Sequence, residues 1–493
     1  MPLIGRQTRT PLYGLAPQGQ GLWIAREDII GVRARRTATG NVLAPLDEGA
    51  IAEVRRQAAG YEAAAISLLF SFAAPDDERR LKEALGDVLW VSCSHEVAPI
   101  AGEYERLCTT FLNAFTGPLA GRYLAALKTR VPAARIEIMH SAGGVIGTDE
   151  AARLPVALAL SGPAGGVAAA HWLGNALGEA RLLTFDMGGT STDVAAIHEA
   201  LPLAPMGEIA GVPIALPMLA IHTIGAGGGS IAWLDEAGLL RVGPQSAGAD
   251  PGPVCYRRGG AQPTVTDANL VLGRMPEAVR LGGRMRLDAA AATQALARLG
   301  ARKGLSPIAA AEAVVEIAEE AMAGALRVVS IERGLDPRTH TLVCFGGAGG
   351  LHALALAERL GIRRVVLPVA AGAFSALGML AAERRHAFAQ TIRVPLDAPD
   401  ADQRLRAAME ALGQRAQAAF PDGEDARWAL EVRYLGQGEG LPVPWRGSAA
   451  SAAEDFAAAH RDLFGHTLAR PVEAVRLELQ LATPTPPFAL PEL

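Results

Sequence analysis

Residues 182–197 read LLTFDMGGTSTDVAAI. An apolar run reaches Asp186, turns over two glycines and three hydroxyl residues, passes Asp193 and resumes as a second apolar run. This pattern predicts a strand, a turn and a second strand. A Walker P-loop would instead join a strand to a helix and would carry Gly-Lys-Ser/Thr, which the stretch does not contain. We therefore expect a β-hairpin with a polar turn.

The turn of this hairpin has the composition of a site for phosphate and magnesium. Glycine lets backbone N–H groups approach an anion closely, because no side chain stands in the way. Asp186 and Asp193 would bind Mg²⁺ through water, which suits a hard cation, and they are the candidate catalytic residues. The alternative is an ordinary hairpin with acidic turn residues. The candidate phosphate-binding residues are Gly188, Gly189, Thr190, Ser191 and Thr192.

Other glycine-rich segments are further candidates for binding an anion or a nucleotide. Gly225–Ser230 would bind an anion through Gly227 and Gly228, or would act as a hinge. Gly346–Gly350 stands between a predicted strand and a predicted helix, where a nucleotide would lie over the loop. The alternative for Gly346–Gly350 is close packing of helix on strand. We also expect Ser161–Gly166 to be a loop. The candidate nucleotide-binding residues at 346–350 are Gly346, Gly347, Gly349 and Gly350.

The evidence for a second metal is weaker. His222 and Cys255 have suitable donor atoms for a soft divalent metal, but two lone donors are more often core residues. Asp250 and Asp267 stand in turn-rich sequence. They would bind a substrate or a metal, or would only stabilise the turn. Motifs for a serine hydrolase or a zinc protease do not occur.

The rest of the chain alternates strand-like and helix-like patterns. Within the first 100 residues, Ala63–Phe70 and Val88–Ser92 read as strands around a polar helix, which indicates an α/β layer with parallel strands. Residues 306–333 read as one long helix with Ser306 as N-cap and Pro307 in the first turn. Residues 483–487 read as a linker or a disordered end.

Composition excludes several classes of protein. The 493 residues carry 46 Lys+Arg and 51 Asp+Glu, a net charge of −5, and half are apolar. A disordered chain would have too little apolar surface to offset the entropy of ordering, and a nucleic-acid-binding protein would show a basic tract. No uniformly apolar run of membrane-spanning length occurs. Four scattered cysteines and an N-terminus without a signal pattern predict a cytoplasmic protein that contacts neither membrane nor nucleic acid.

Several motifs in chain order make the sequence recognisable. FDMGGTSTDV, IHTIGAGGGSIA, GPQSAGADPGPVCY, TVTDANLVLGR and FGGAGGLHALALAERLGI strongly resemble the A-type subunit of the hydantoinase/oxoprolinase family. EYERLCTTFLNAF, SGPAGGVAAA and RYLGQ extend the resemblance along nearly the whole chain.

The resemblance implies an α/β fold of the actin/hexokinase/Hsp70-like (ASKHA) ATPase type, with nucleotide bound in a cleft. It implies ATP-dependent hydrolysis of a cyclic amide such as a hydantoin or 5-oxoproline, with ATP and Mg²⁺ as cofactors and a B-type subunit as partner. A subunit of an ATP-dependent acetone or ketone carboxylase is the alternative enzyme. A truncated member without catalytic activity is the alternative outside enzymes.

The chain also departs from the family pattern. Family members usually begin with another Asp-x-Gly-Gly-Thr hairpin and continue beyond the Pro-rich end of this chain, and Ala220 stands where an acidic residue is common. We therefore expect an incomplete first lobe. The predicted domains are a remnant of the N-terminal domain at 1–100, the ATPase-like core at 101–392 and a partial C-terminal α+β domain at 393–493.

Overall fold

The structure is a computed structural model that describes residues 24–132, 135–276, 278, 280–438 and 440–483. The expectations for the extreme N-terminus and for residues 484–487 therefore fall outside the described residues.

The helices and strands are numbered here in chain order. The α-helices are α1 Glu48–Gln57, α2 Asp76–Leu85, α3 Ser94–Val97, α4 Glu103–Arg130, α5 Thr148–Arg153, α6 Ser161–Leu177, α7 Val265–Val271, α8 Ala289–Ala301, α9 Pro307–Val329, α10 Ala353–Leu360, α11 Phe374–Ala381, α12 Ala401–Ala419 and α13 Ala449–Phe464. The strands are β1 Arg35–Arg36, β2 Val42–Ala44, β3 Ala63–Ile66, β4 Trp90–Cys93, β5 Glu137–Met139, β6 Val145–Gly147, β7 Arg181–Met187, β8 Thr192–His198, β9 Leu203–Ala204, β10 Gly207–Ile209, β11 Val212–Ile214, β12 Met218–Leu219, β13 His222–Ile224, β14 Ser230–Leu234, β15 Leu240–Ser246, β16 Arg280–Leu281, β17 Met285–Arg286, β18 Thr341–Phe345, β19 Arg364–Val366, β20 Arg385–Pro395, β21 Asp425–Tyr434, β22 Leu441–Pro444 and β23 Val472–Ala482.

The chain forms two compact units that do not follow its linear order. The first unit contains the described residues up to Ala159, Ala204–Met218 and the described residues from Glu383 onward. The second unit contains Leu160–Leu203 and Leu219–Ala382. Both units combine helices with sheets, so the fold is mixed α/β. None of the described helices has the length and apolar character needed to cross a membrane.

The second unit is built on a five-stranded sheet with strand order β13-β8-β7-β18-β19. β7, β18 and β19 run parallel, while β8 and β13 run antiparallel to their neighbours. The inner strand β18, between β7 and β19, is buried along its whole length, as its unbroken apolar run predicts. The predicted hairpin over 182–197 is confirmed as β7 and β8.

The long helix α9 lies against this sheet. Ser306 caps it by accepting a hydrogen bond from the N–H of Ala309 at 3.2 Å, and Pro307 occupies the first position. Val314, Met322 and Leu326 are fully buried on one face. The helix is shorter than the predicted 306–333, because a 3₁₀ turn at Ile331–Arg333 follows it before the chain turns at the left-handed Gly334.

The glycine-rich Ser161–Gly166 is not a loop, as the sequence suggested, but the start of α6. Its glycines serve close contact with α11. A Cβ at Gly165 would lie 2.6 Å from the carbonyl oxygen of Ser375, and a Cβ at Gly378 would overlap the carbonyl oxygen of Gly165. Two helices approach this closely only where neither carries a side chain at the crossing.

The first unit contains a two-stranded parallel sheet, β3 and β4, as the sequence predicts, with α4 packed against it. The strand expected over Ala63–Phe70 ends early, at Ile66. The N–H of Leu68 donates to the carboxylate of Glu78 at 2.8 Å instead of to another strand, and Phe70 has a left-handed φ of 65°.

The first unit also contains an antiparallel four-stranded sheet with strand order β20-β23-β21-β22. The helices α12 and α13 bury their apolar faces against this sheet and form a separate hydrophobic core with it. Leu405 and Leu412 of α12 and Phe456 of α13 are almost fully buried there.

Candidate functional site

Asp186 and Asp193 lie directly opposite each other on β7 and β8 of the second unit. Each carboxylate has one hydroxyl partner. Ser375 Oγ donates to Oδ2 of Asp186 at 3.2 Å, and Thr223 Oγ1 donates to Oδ1 of Asp193 at 2.5 Å. The hairpin therefore holds two acidic side chains together and orients both of them.

The surroundings of these two carboxylates disfavour negative charge. Burial and the neighbouring Asp193 carboxylate raise the pKa of Asp186 to about 6, against the lowering effect of the hydrogen bond from Ser375. Burial also raises the pKa of Asp193. Two carboxylates that repel each other in a half-buried place are the arrangement that a divalent cation relieves.

The turn between the strands is held in shape by the loop Gly225–Ser230. The N–H groups of Gly228 and Gly229 donate to the carbonyl oxygens of Gly188 and Gly189 at 3.0 and 2.6 Å. A Cβ at Gly227 would lie 2.7 Å from backbone atoms of Thr190. Only glycine allows the two loops to lie this close.

The loop Gly346–Gly350 reaches the same hairpin from the end of β18. The N–H of Ala348 donates to the carbonyl oxygen of Met187 at 3.0 Å. Gly346 has a φ of +79°, and a Cβ there would lie 2.5 Å from the same oxygen. The structure thus brings together three glycine-rich segments that the sequence offered as separate candidates.

The predicted glycines and hydroxyls divide into accessible and structural groups. Gly189, Thr190, Gly347 and Gly350 are exposed, Gly188, Ser191 and Gly346 are half-buried, and Gly227, Gly228, Gly349 and Thr192 are buried. The hydroxyl of Thr192 donates to the carbonyl oxygen of Ala226 at 2.5 Å. Within the described part of the chain, the N–H groups of Gly189, Thr190 and Gly347 have no acceptor. These three amides are the ones available to an anion.

Three hydroxyl residues of this site were not predicted from the sequence. Ser375 and Thr223 bind the two carboxylates, and Thr266 donates from both its N–H and its Oγ1 to the carbonyl oxygen of Gly228, at 2.8 Å in each case. Thr266 stands in the noted motif TVTDAN, whereas Ser375 follows an unremarkable apolar stretch. No pattern in the sequence links Ser375 to Asp186, 189 positions away.

Asp267 has a structural role. It completes a capping box with Thr264 at the start of α7 and accepts from the N–H of Cys255 at 2.8 Å and of Val254 at 3.2 Å. It is fully buried. Its carboxylate therefore fixes a helix start and the preceding turn.

His222 and Cys255 are in different surroundings. His222 pairs with Val194 across β13 and β8, while Cys255 is fully buried in a small apolar cluster and burial raises the pKa of its thiol. Over the described ranges, one group of three metal-type donors occurs, Glu78 with Cys93 and His95 in the first unit, and it contains neither residue.

The Glu78 group was not predicted, and its hydrogen bonds account for it without a metal. Glu78 accepts from the N–H of Leu68, the hydroxyl of Ser94, and both the N–H and Nδ1 of His95, at 2.7–3.0 Å. Although burial raises the pKa of Glu78, these hydrogen bonds outweigh it and bring the pKa below its usual value. A carboxylate with four donors has no lone pair left for an ion.

Comparison with known proteins identifies relatives along the whole chain. The sequence is 36% identical over 491 residues to caprolactamase subunit alpha of Pseudomonas jessenii, covering 94% of this chain and 70% of that subunit. The crystal structure of the ATP-dependent caprolactamase from that organism superposes with a TM-score of 0.83 at 32% identity, over 99% of this chain and 75% of the other. A nucleotide-free structure of acetone carboxylase superposes with a TM-score of 0.73 at 27% identity, over 95% and 71%.

Family models agree with these similarities. The model of the hydantoinase/oxoprolinase N-terminal region matches residues 1–89, and the hydantoinase/oxoprolinase model matches residues 106–388. Since the second match alone spans more than half of the sequence, the chain belongs to the hydantoinase/oxoprolinase family.

Proposed function

We propose that this chain is the nucleotide-binding A-type subunit of an ATP-dependent enzyme that hydrolyses a cyclic amide, and that its fold is of the actin/hexokinase/Hsp70-like ATPase type. The observation that carries the proposal is the convergence of three glycine loops on a paired Asp186 and Asp193, with free amides at Gly189, Thr190 and Gly347. The name of the related ATP-dependent caprolactamase supports the choice of a cyclic amide.

The residues at the site suit Mg²⁺ and a triphosphate. Two half-buried carboxylates with raised pKa values favour a cation that compensates their charge. The exposed amides nearby favour phosphate oxygens, which glycine allows to approach the backbone. Asp186 and Asp193 would hold Mg²⁺ through its water molecules, and Mg²⁺ when bound supplies neutralisation of phosphate charge.

The residues of the chain have separate tasks in this proposal. The amides of Gly189, Thr190 and Gly347 would orient the phosphates, Ser375 and Thr223 would keep the two carboxylates in position, and the Gly225–Ser230 loop would hold the turn rigid. Phosphoryl transfer depends mainly on positioning and on charge neutralisation, so a rigid site of this kind suits it. Transfer of the terminal phosphoryl group of ATP to the amide oxygen would release ADP and end amide resonance. Water would then attack the activated carbon, the ring C–N bond would break, and phosphate would leave.

The partner in this proposal is a B-type subunit that binds the cyclic amide. The related proteins are named as subunits, which supports a multi-subunit enzyme. A second candidate is a subunit of an ATP-dependent ketone carboxylase, which the superposition with acetone carboxylase favours. The two candidates share the nucleotide site and differ in the acceptor of the phosphoryl group.

Calorimetry with Mg·ATP tests the nucleotide site directly. We expect binding by the wild-type chain, loss of binding in Asp186→Ala, and unchanged binding in Glu236→Gln, which removes an exposed carboxylate from the same unit. Wild-type binding that survives Asp186→Ala would contradict the site.

The reaction is tested after adding the partner subunit. ATP hydrolysis that depends on caprolactam, hydantoin or 5-oxoproline supports the amidase, and dependence on acetone with bicarbonate supports the carboxylase. Mg·ATP binding without either activity would identify a member that has kept the site but lost turnover.

A further inference from the structure

The first unit contains a cavity of about 700 Å³ that takes no part in the proposed nucleotide site. Its wall is formed by β4, α4, β20 and α12 together with the segment around His140. All of these elements belong to the same compact unit. A volume of this size falls in the range of pockets for small molecules, about 300–1,000 Å³.

The wall of this cavity is mostly apolar. More than half of its lining residues are aliphatic, aromatic or proline, including Trp90, Ile100, Leu216 and Phe388. A ligand with a hydrocarbon body would therefore displace water from apolar surface, which is favourable.

Most polar groups of the wall form hydrogen bonds within the protein, and these bonds fix their orientation. Asn113 donates to Ser92 and to the carbonyl oxygen of Arg153, and it accepts from the N–H of Val156. His140 accepts from the N–H of Ala142 at Nδ1, so its Nε2–H donates to the carbonyl oxygen of Arg385 at 2.8 Å. The wall therefore keeps its shape without a ligand.

The charged groups leave an excess of positive charge. Lys82 pairs with Glu96 at 2.7 Å, Arg385 pairs with Glu383 at 2.6 Å, and His386 Nε2 lies 2.7 Å from Glu150. Arg153 and Arg415 also line the cavity, and neither forms an ion pair with any residue that the structure describes.

Of these two arginines, Arg415 is the better anchor for an anion. Its Nη1 donates to Oε1 of Gln390 at 3.3 Å, a neutral partner that holds the side chain at the wall. Burial lowers the pKa of the Arg415 guanidinium, and no acidic neighbour counteracts this effect. A guanidinium without a counter-ion gains charge-assisted hydrogen bonds from a carboxylate ligand.

We propose that this cavity binds a small aliphatic carboxylic acid, with its hydrocarbon body against the apolar wall and its carboxylate on Arg415. A polyphosphate would need several cations close together, whereas this wall offers one well-placed guanidinium and a largely apolar surface. The site is independent of the nucleotide site, because none of the residues that line it belongs to the second unit.

The test uses hexanoate and hexanamide, which have the same hydrocarbon chain and differ in charge. Calorimetry on the full chain should detect hexanoate binding, and hexanamide should bind at least about tenfold more weakly, as expected for loss of one charge-assisted hydrogen bond. Equal binding of the two compounds, or no binding of hexanoate to the folded protein, would overturn the proposal.

Variants locate the binding site. Arg415→Met should weaken hexanoate binding at least about tenfold and remove the preference over hexanamide. Arg406→Met is the matched control, because Arg406 is an arginine on the same helix that does not line the cavity, and this variant should bind hexanoate as tightly as the wild type. Loss of binding in Arg153→Met together with wild-type binding in Arg415→Met would refute the role of Arg415.

A fluorescence measurement places the ligand in the cavity. Hexanoate should change the tryptophan emission of the wild-type chain, and Trp90→Phe should abolish this change while calorimetric binding remains. An unchanged fluorescence response in Trp90→Phe would mean that hexanoate binds elsewhere. Circular dichroism of each variant confirms that it is folded.

Discussion

Asp186 and Asp193 are paired residues of two adjacent antiparallel strands, and both have raised pKa values in the folded protein. Like charges directly opposite each other destabilise a sheet. The pair is therefore retained at a cost in stability, which is typical of sites whose purpose is binding.

Removing one charge of this pair should stabilise the protein and abolish Mg·ATP binding. The pKa of Asp186 is raised from 3.8 to about 6, so the folded state holds the proton more tightly, and stability is lost as the pH rises through this interval. Asp186→Asn should therefore show a higher melting temperature than the wild type at pH 8 without nucleotide, because asparagine still accepts from Ser375 and carries no charge.

Differential scanning calorimetry at pH 8 measures this effect, with Glu236→Gln as the control for loss of an exposed charge. Mg·ATP should raise the melting temperature of the wild type and of the control but not that of Asp186→Asn. A melting temperature of Asp186→Asn below that of the wild type would show that the two carboxylates do not repel each other significantly.

The contact of Gly227 with Thr190 gives a second prediction. Gly227→Ala places a Cβ 2.7 Å from backbone atoms of Thr190, so the turn between β7 and β8 must move. We expect the free energy of unfolding to fall by about 1–3 kcal/mol, as for other overpacked sites. Mg·ATP binding, measured by calorimetry, should weaken at least about tenfold.

Gly324→Ala is the matched control for Gly227→Ala. Gly324 lies within α9, and a Cβ there would meet no atom within 4 Å. Because alanine favours the helix over glycine, this variant should be about 0.5–1 kcal/mol more stable than the wild type and should bind Mg·ATP normally. Equal Mg·ATP affinity in both variants would show that the contact with Thr190 does not shape the site.

A third prediction concerns the crossing of α6 and α11. A Cβ at Gly378 would overlap the carbonyl oxygen of Gly165 and lie 2.8 Å from the amide nitrogen of Ala169. Gly378→Ala should therefore lower the free energy of unfolding in urea by roughly 3 kcal/mol. Gly162→Ala, in the same glycine-rich motif but with no atom within 4 Å of its Cβ, should leave stability unchanged or slightly increase it. Similar losses in both variants would contradict close packing at Gly378.

Local sequence patterns predicted the elements of the second unit well. The hairpin of β7 and β8, the cap of α9 at Ser306 and the strand β18 follow from apolar runs, turn residues and capping residues, which act over a few positions. The loops Gly225–Ser230 and Gly346–Gly350 were separate candidates in the sequence, and the structure brings both of them to the hairpin.

Features that depend on distant contacts could not be predicted in this way. Ser161–Gly166 has the composition of a loop, yet it is helical because its glycines contact another helix. The roles of Ser375 and of the Glu78 group likewise depend on residues brought together only by the fold. A glycine motif alone does not distinguish an anion-binding loop from a close helix crossing, because both need the absence of a Cβ.

The last prediction concerns acid stability and rests on His140 in the first unit. Burial lowers the pKa of His140 from 6.5 to about 4, and its hydrogen bonds to Ala142 and Arg385 fix the neutral ring. The unfolded chain binds the proton more readily between these values, so this contribution to stability is present above pH 6.5 and is lost as the pH falls to 4. By linkage this contribution amounts to roughly 3 kcal/mol.

His140→Gln keeps a donor for the carbonyl oxygen of Arg385 but does not titrate. The difference in unfolding free energy between wild type and variant should therefore shrink by about this amount from pH 7 to pH 4. Urea unfolding across this range measures the difference, and His466→Gln, which removes an exposed histidine of the same unit, is the control variant. A constant difference between wild type and His140→Gln would mean that His140 has the same pKa in the folded and the unfolded protein, which would contradict the prediction.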